Sequence, residues 1–104
     1  MGALIEIKPV EIDGTTVFGV KIGNPDSPQK PAIIVLIAKK GLVVCRNFDI
    51  DALNERNVTA AVKGLTKIED ALEARIESCT SKARALGVAE GMTGKEALMK
   101  LQGG

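Results

Sequence analysis

The sequence contains no histidine, tryptophan or tyrosine. Without histidine, neither a Ser-His-Asp triad nor a Cys-His pair can form, and histidine metal sites are excluded. The cysteines, Cys45 and Cys79, stand far apart without a CxxC spacing, so we expect no metal site. We also expect no cofactor, because Gly94-Lys95 is followed by Glu96 where a Walker loop needs Ser or Thr. These absences remove much of the enzyme repertoire.

An excess of charge of one sign is lacking too. The chain has 14 basic and 13 acidic residues, a net charge of +1, and they are interspersed. Nucleic-acid binding uses a basic face and, for single strands, aromatic side chains, so we expect no nucleic-acid partner. The longest apolar run, Ala32 to Ala38, is too short to cross a bilayer. No signal-peptide pattern precedes it, so we expect no membrane partner and a cytoplasmic location.

Apolar and polar residues alternate in the N-terminal part of the chain. The 104 residues fit a single domain spanning 1–104. In residues 3–13, Ile5, Ile7, Val10 and Ile12 are candidates for one inner face, and Pro9 predicts an edge strand or a bulge. Asp13-Gly14 predicts a hairpin turn into a strand over residues 15–22. The breakers gathered in Gly23 to Pro31 predict a surface loop.

The centre of the sheet is predicted at Ala32 to Asp49. Residues 32–38 are apolar on both alternating faces, and residues 42–45 return after a Lys-Lys-Gly turn. A strand that is apolar on both faces is buried on both faces. Helices can cover one of them. The other needs the N-terminal hairpin folded over it, or another subunit, and we therefore expect a homo-oligomer.

The second half of the chain favours helices. A short helix is expected at residues 50–57, and residues 58–62 favour a strand over a helix. Apolar residues at steps of three or four predict a long helix over residues 65–86, with a Thr66–Glu69 capping box, a break near Glu73–Arg75 and an end at Gly87. Thr93 and Glu96 form a second capping box before a last helix. The predicted fold is α+β, an antiparallel or mixed sheet of four to five strands packed against two to three C-terminal helices.

Residues 41–101 carry a family resemblance. The stretches GLVVC, IEDAL and ALGVAEGMTGKEALMKL are similar to the YunC-like domain of bacteria and archaea, most specifically over Gly87 to Leu101. The family pattern has Gly after the strand-end cysteine, where this chain has Arg46. The resemblance implies a small, free-standing cytoplasmic domain without an established activity, and it supplies no catalytic residues.

Cys45 is the candidate for chemistry. It lies at a predicted strand end beside Arg46 and ahead of Asp49, and a neighbouring cation lowers a thiol pKa and favours the thiolate. The structural alternative is a small apolar side chain that fills a place in the sheet. If Cys45 is a nucleophile or a redox thiol, the protein is a small cysteine-dependent enzyme.

Gly91-Met92-Thr93-Gly94, followed by Lys95, is the candidate for binding. Backbone N–H groups at a helix start hold anions, helped by the helix dipole and a nearby lysine. A turn with Thr93 as the cap explains the threonine and Glu96, but it leaves the two glycines unexplained. With few catalytic residues present, we favour a non-catalytic oligomeric domain that binds a small anionic metabolite or a protein partner.

Overall fold

The fold is built on one mixed sheet in which the strands lie side by side in chain order. The computed structural model describes residues 5–45, 58–62 and 67–103, with the side chains of residue 24 and residues 27–32 outside that description. The six strands are β1 (Ile5–Ile12), β2 (Thr15–Asn24), β3 (Ser27–Ile37), β4 (Leu42–Cys45), β5 (Thr59–Val62) and β6 (Ile76–Cys79). Within the described ranges the helices are α1 (Asp70–Glu73), α2 (Ser81–Ala85) and α3 (Gly94–Leu101).

Strand pairing confirms the α+β class and corrects the strand count. Strands β1 to β4 pair antiparallel, β4 and β5 pair parallel, and β5 and β6 pair antiparallel. The sheet is therefore mixed, with six strands rather than the four to five that the sequence predicts. The helix predicted at residues 50–57 lies outside the described residues.

The first hairpin follows its turn chemistry. Asp13 and Gly14 both have positive φ, at 42° and 85°, which is the conformation of a two-residue type I′ turn. Pro9 lies on β1, which forms an edge of the sheet, and it pairs with Phe18 without a shift of register. An edge strand tolerates the missing proline N–H, so the edge position predicted from Pro9 is confirmed.

The surface loop predicted at Gly23–Pro31 is wrong. Strand β2 continues to Asn24 and β3 begins at Ser27, so the connection is a tight hairpin at residues 25–26. The glycine and proline residues of this stretch disturb the strand pairing only locally. The pairing of β2 with β3 shifts register on both sides of Gly23, where Gly23 is opposite Pro31. Bulges of this kind accommodate proline inside a ladder, which is why the strands persist through them.

The long helix predicted over residues 65–86 is also wrong. Helix α1 ends at Glu73, near the predicted break, but the chain then enters β6. The β5–β6 register shifts so that Val62 is opposite Ile76 and Ala61 is opposite Ser78, which leaves Glu77 as an extra residue. Because of this bulge, Ile76 and Cys79 are both buried although they are three residues apart. A bulged strand thus reproduces the spacing of a helix.

The helix ends follow their sequence signals where these are described. At the end of α2, Gly87 (φ 101°) donates to the Arg84 carbonyl and Val88 donates to the Ala83 carbonyl, the pair of bonds in a Schellman motif. At the start of α3, Thr93 and Glu96 form the predicted capping box. Helix α1 has Glu69 as its N-cap and no side-chain cap bond, and Thr66 lies outside the described residues.

The helices and the chain around them cover one face of the sheet. Buried side chains from this layer, including Ile68, Ala83, Leu98 and Leu101, pack on the sheet residues Val17, Ile34, Leu36, Val43 and Val62. We call this the inner face. Gln102 ties the layer to the first strands, since its amide donates to Thr15 Oγ1 at 2.8 Å. Over residues 5–45, 58–62 and 67–103, no helix has the length and hydrophobicity needed to span a membrane.

Candidate functional site

The opposite side of β1, β2 and β3 is an apolar surface. The strand registers align its side chains in rows across the sheet, Ile5 with Ile22 and Ile33, Ile7 with Val20 and Val35, and Pro9 with Phe18 and Ile37. We call these residues the outer face. None of its side chains is charged. Glu11 and Thr16, which are opposite each other in the β1–β2 register, mark its polar limit at one end.

Much of the outer face is open to solvent. The exposed fractions are 59% for Ile5, 67% for Ile7, 53% for Phe18, 36% for Ile22 and 42% for Ile37. If each large side chain presents roughly 150 Å² when fully exposed, these five residues leave about 400 Å² of apolar surface in water. A contiguous patch of this size is at the scale of the largest patch on a monomeric protein, and such patches are often binding sites.

Among the residues that the structure describes, the large exposed apolar side chains lie on the first three strands. Val44 is opposite Val35 and pairs in turn with Ala61, so both lie on the outer side, yet they are only 0% and 3% exposed. The chain therefore covers this side of the sheet over β4 and β5 and leaves it open over β1 to β3. The exposed patch therefore ends where β3 pairs with β4.

The sequence pattern predicts Ile5 and Ile7 on the same inner face as Val10 and Ile12, and this prediction is wrong. The β1–β2 register runs without a shift, so strict alternation separates the two pairs. Val10 and Ile12 are 8% and 2% exposed in the core, while the other pair faces outward. Counting alternation straight through Pro9 would have found the exposed pair.

The N-terminal hairpin does not fold over the central strand. It extends the sheet sideways, with β2 paired to β3. The second face of β3 was expected to be covered by the N-terminal hairpin or by another subunit, and the hairpin is therefore ruled out. Ile33, Val35 and Ile37 do share one face and Ile34, Leu36 and Ala38 the other, as predicted from the sequence.

Cys45, the candidate nucleophile, is buried in the core. Its exposed fraction is 7%, and its sulfur accepts a hydrogen bond from the Ile34 N–H at 3.5 Å. A thiol in this position fills space between strands, as buried free cysteines commonly do. Arg46 and Asp49, which are predicted as binding residues beside Cys45, lie outside the described residues.

Cys79 is 8% exposed and lies within 4.0 Å of the Val88 carbonyl. Burial raises the pKa of this thiol, which favours its neutral and unreactive form. The structure thus places both cysteines in the core.

The Gly91–Gly94 turn has internal acceptors for all of its backbone N–H groups. Gly91 donates to the Ile76 carbonyl at 2.9 Å, Met92 to the Ala89 carbonyl at 3.4 Å, and Gly94 to the Ala74 carbonyl at 2.8 Å. The Thr93 N–H donates to the Glu96 carboxylate at 2.9 Å. Anion binding at this turn stays a prediction, and it would require these bonds to be exchanged.

The structure explains why both positions of the turn are glycine. Gly91 has a φ of 91°, in the left-handed region where L side chains are rare. At Gly94, a Cβ atom would lie 1.7 Å from the Ala71 carbonyl oxygen, so only glycine permits this close approach of α3 to α1. The side chain of Lys95 pairs with Asp13 at 3.0 Å, which joins α3 to the first hairpin turn.

Strands β5 and β6 lie between the two candidate sites. Cys45 is opposite Val62, Val62 is opposite Ile76, and the Ile76 N–H donates to the Met92 carbonyl. At about 4.8 Å per strand, Cys45 and Met92 stand roughly 14 Å apart. The structure does not bring them together in one site. No group of three or more metal-ligating side chains occurs in the part of the chain that the structure describes.

Known proteins resemble this chain in sequence and in fold. A protein of Bacillus subtilis (strain 168), "Uncharacterized protein YunC", is 29% identical over 103 residues, covering 94% of this chain and 98% of the relative. A crystal structure of a protein of unknown function, TA1206 from Thermoplasma acidophilum, has the same fold with a TM-score of 0.79. That similarity spans 93% of this chain and 92% of the other at 22% identity.

The family comparison covers the region where the sequence analysis found its resemblance. The family model described as "Domain of unknown function (DUF1805)" matches residues 44–101. This range includes the Gly91–Gly94 turn and α3, and it begins one residue before Cys45. The resemblance to the YunC-like domain is confirmed, and the chain belongs to the DUF1805 family.

Proposed function

We propose that this protein is a non-catalytic interaction domain that binds protein through the outer face of β1, β2 and β3. The observation that carries the proposal is the uncharged, solvent-exposed apolar surface centred on Ile7 and Phe18. Burying a large apolar side chain contributes roughly 1.5–3 kcal/mol, and these two expose 67% and 53% of their surface. A partner that covers the face recovers this free energy.

The protein supports this surface with a rigid scaffold. The strands that present the outer face are held from behind by the core residues Val17, Ile34 and Leu36, which are 1%, 1% and 0% exposed. Strand pairing fixes the backbone positions from which these side chains project before a partner arrives. Preorganisation of this kind lowers the conformational entropy lost on binding.

The alternative, a cysteine-dependent enzyme, has less support. A catalytic thiol has to reach its substrate, whereas Cys45 is 7% exposed and its sulfur accepts the Ile34 N–H. Substrate access to the sulfur would require the core side chains packed around Cys45 to move. The burial of Cys45 favours its interpretation as a core side chain.

Site-specific photo-crosslinking in the protein's own cells tests the proposal. A photoreactive phenylalanine analogue replaces Ile7 or Phe18 on the outer face, and Ala85 on the exposed surface of α2 in a matched control. We expect covalent protein adducts from positions 7 and 18 and none from position 85. If the variants at positions 7 and 18 are as stable as the control at position 85 and still give no adducts, the proposal fails.

A further inference from the structure

We infer that the occupant of the outer face is a second copy of this chain, packed face to face on β1 to β3 about a two-fold axis. The inference rests on the proposed function, and it names the partner. A two-fold contact uses the same patch on both copies, so the patch has to complement itself in area, in shape and in charge.

The area of the patch fits a small specific interface. Such interfaces bury about 600 Å² per partner, of which about 65% is apolar in homodimers. The apolar requirement is therefore about 400 Å² per partner, and the exposed parts of Ile5, Ile7, Phe18, Ile22 and Ile37 supply about that amount. Because the area is at the lower end of the specific range, the dimer should dissociate on dilution.

The shape of the face suits sheet-on-sheet packing. Its middle row carries the smaller, half-buried side chains Val20 and Val35 on β2 and β3 and the exposed Ile7 on β1, between rows that contain the larger Ile22 and Phe18. Two such faces interdigitate when larger side chains of one copy enter the space above Val20 and Val35 of the other. Paired sheets pack in this way at about 10 Å, with strand directions within about 30° of each other.

Electrostatics do not oppose self-association. The outer face has no charged side chain, so two copies bring no like charges together at its centre. The net charge of +1 produces little long-range repulsion between copies. A strongly charged partner, in contrast, would find no group on this face to recognise.

Pairing through the edge strand is the less favourable route. Strand β1 is at the edge of the sheet, but Pro9 in its middle lacks the N–H that a continuous ladder between two copies needs. The β1 edge is thus protected against strand addition. The outer face is therefore favoured over the β1 edge as the surface through which copies associate.

Sedimentation of the full chain from about 1 µM to about 1 mM tests the inference, since weak specific complexes dissociate in this range. We expect the mean mass to rise from one copy to two, and no further. Ile7→Lys adds a charge to the centre of the contact, and it should weaken association at least about tenfold. Ala85→Lys adds the same charge to α2 and should leave association unchanged.

Folding of each variant is checked by circular dichroism, and Phe18→Thr serves in place of Ile7→Lys if that variant does not fold. A wild-type chain that stays monomeric up to about 1 mM overturns the inference. Equal weakening by Ile7→Lys and Ala85→Lys overturns it as well. The crosslinks then separate the two proposals: adducts of two copies support both, adducts with another protein retain only the proposed function, and no adducts remove both.

Discussion

The two glycines of the Gly91–Gly94 turn are alike in the sequence and different in the fold. Gly91 has positive φ with open space where a Cβ atom would lie, whereas Gly94 packs its α-carbon against the backbone of Ala71. One glycine answers a conformational need and the other a steric one. Capping alone explains neither glycine, and the contact of Gly94 with α1 depends on tertiary structure, so it cannot be predicted from the sequence of the turn.

These roles predict unequal costs of substitution. Gly94→Ala should lower the free energy of unfolding by about 3 kcal/mol or more, because its Cβ atom forces α3 away from α1. Gly91→Ala should cost only about 1–2 kcal/mol, the penalty of a left-handed alanine without a clash. Urea denaturation of the two variants measures the difference. Equal losses would contradict the close approach at Gly94.

Individual exposures were harder to predict than strand positions. Phe18, Val20 and Ile22 were correctly placed on one face of β2, but whether that face is buried depends on what packs above it. Cys45 illustrates the same limit. Its place at a strand end was predictable from the sequence, while its contact with the Ile34 N–H depends on the pairing of β3 and β4.

At the scale of elements, turns and helix ends that depend on a few neighbouring residues were predicted correctly from the sequence. The Asp13-Gly14 turn, the end of α2 at Gly87 and the capping box of α3 each follow from a few neighbouring residues, and each is confirmed. The errors came from β6 and from the hairpin at residues 25–26. In both, a bulge allows a strand to carry a pattern typical of a helix or a loop.

The capping box of α3 predicts a pH dependence of stability. The hydrogen bonds that Thr93 donates to Glu96 lower the pKa of this carboxyl below 4.5 in the folded protein. A lowered folded-state pKa gives stability that is complete above the unfolded-state pKa and is lost as the pH falls through the folded-state value. The Glu96 contribution should therefore be present at neutral pH and disappear in acid.

Comparison with Glu96→Gln isolates this contribution, since glutamine keeps the shape of the cap without the charge. The wild type should exceed the variant in unfolding free energy at pH 7, and the difference should shrink toward zero in acid, as the pH falls through the folded-state pKa of Glu96. Urea denaturation across this pH range provides the measurement. A difference that stays constant with pH would show that the Glu96 charge does not stabilise α3.

At the scale of the whole molecule, the sequence predicts more apolar sheet surface than one layer of helices can cover, and the fold shows where the uncovered surface lies. The apolar pattern of Ala32–Ala38 requires cover on both faces, and the layer of helices covers the inner one. The outer side is buried at Val44 and Ala61 and exposed at Phe18 and Ile37. The extent of the open region could not be predicted, because it depends on the hairpin lying beside β3 rather than above it.

Methyl NMR spectra over a dilution series provide the most direct test of self-association through the outer face. The methyl signals of Ile5, Ile7, Ile22 and Ile37 should shift together with protein concentration, because these side chains lie at the interface between copies. Signals of Leu98 and Leu101, buried under the helices, should stay constant. Outer-face methyl signals that do not change with concentration, or changes centred on the helical layer, would contradict the account.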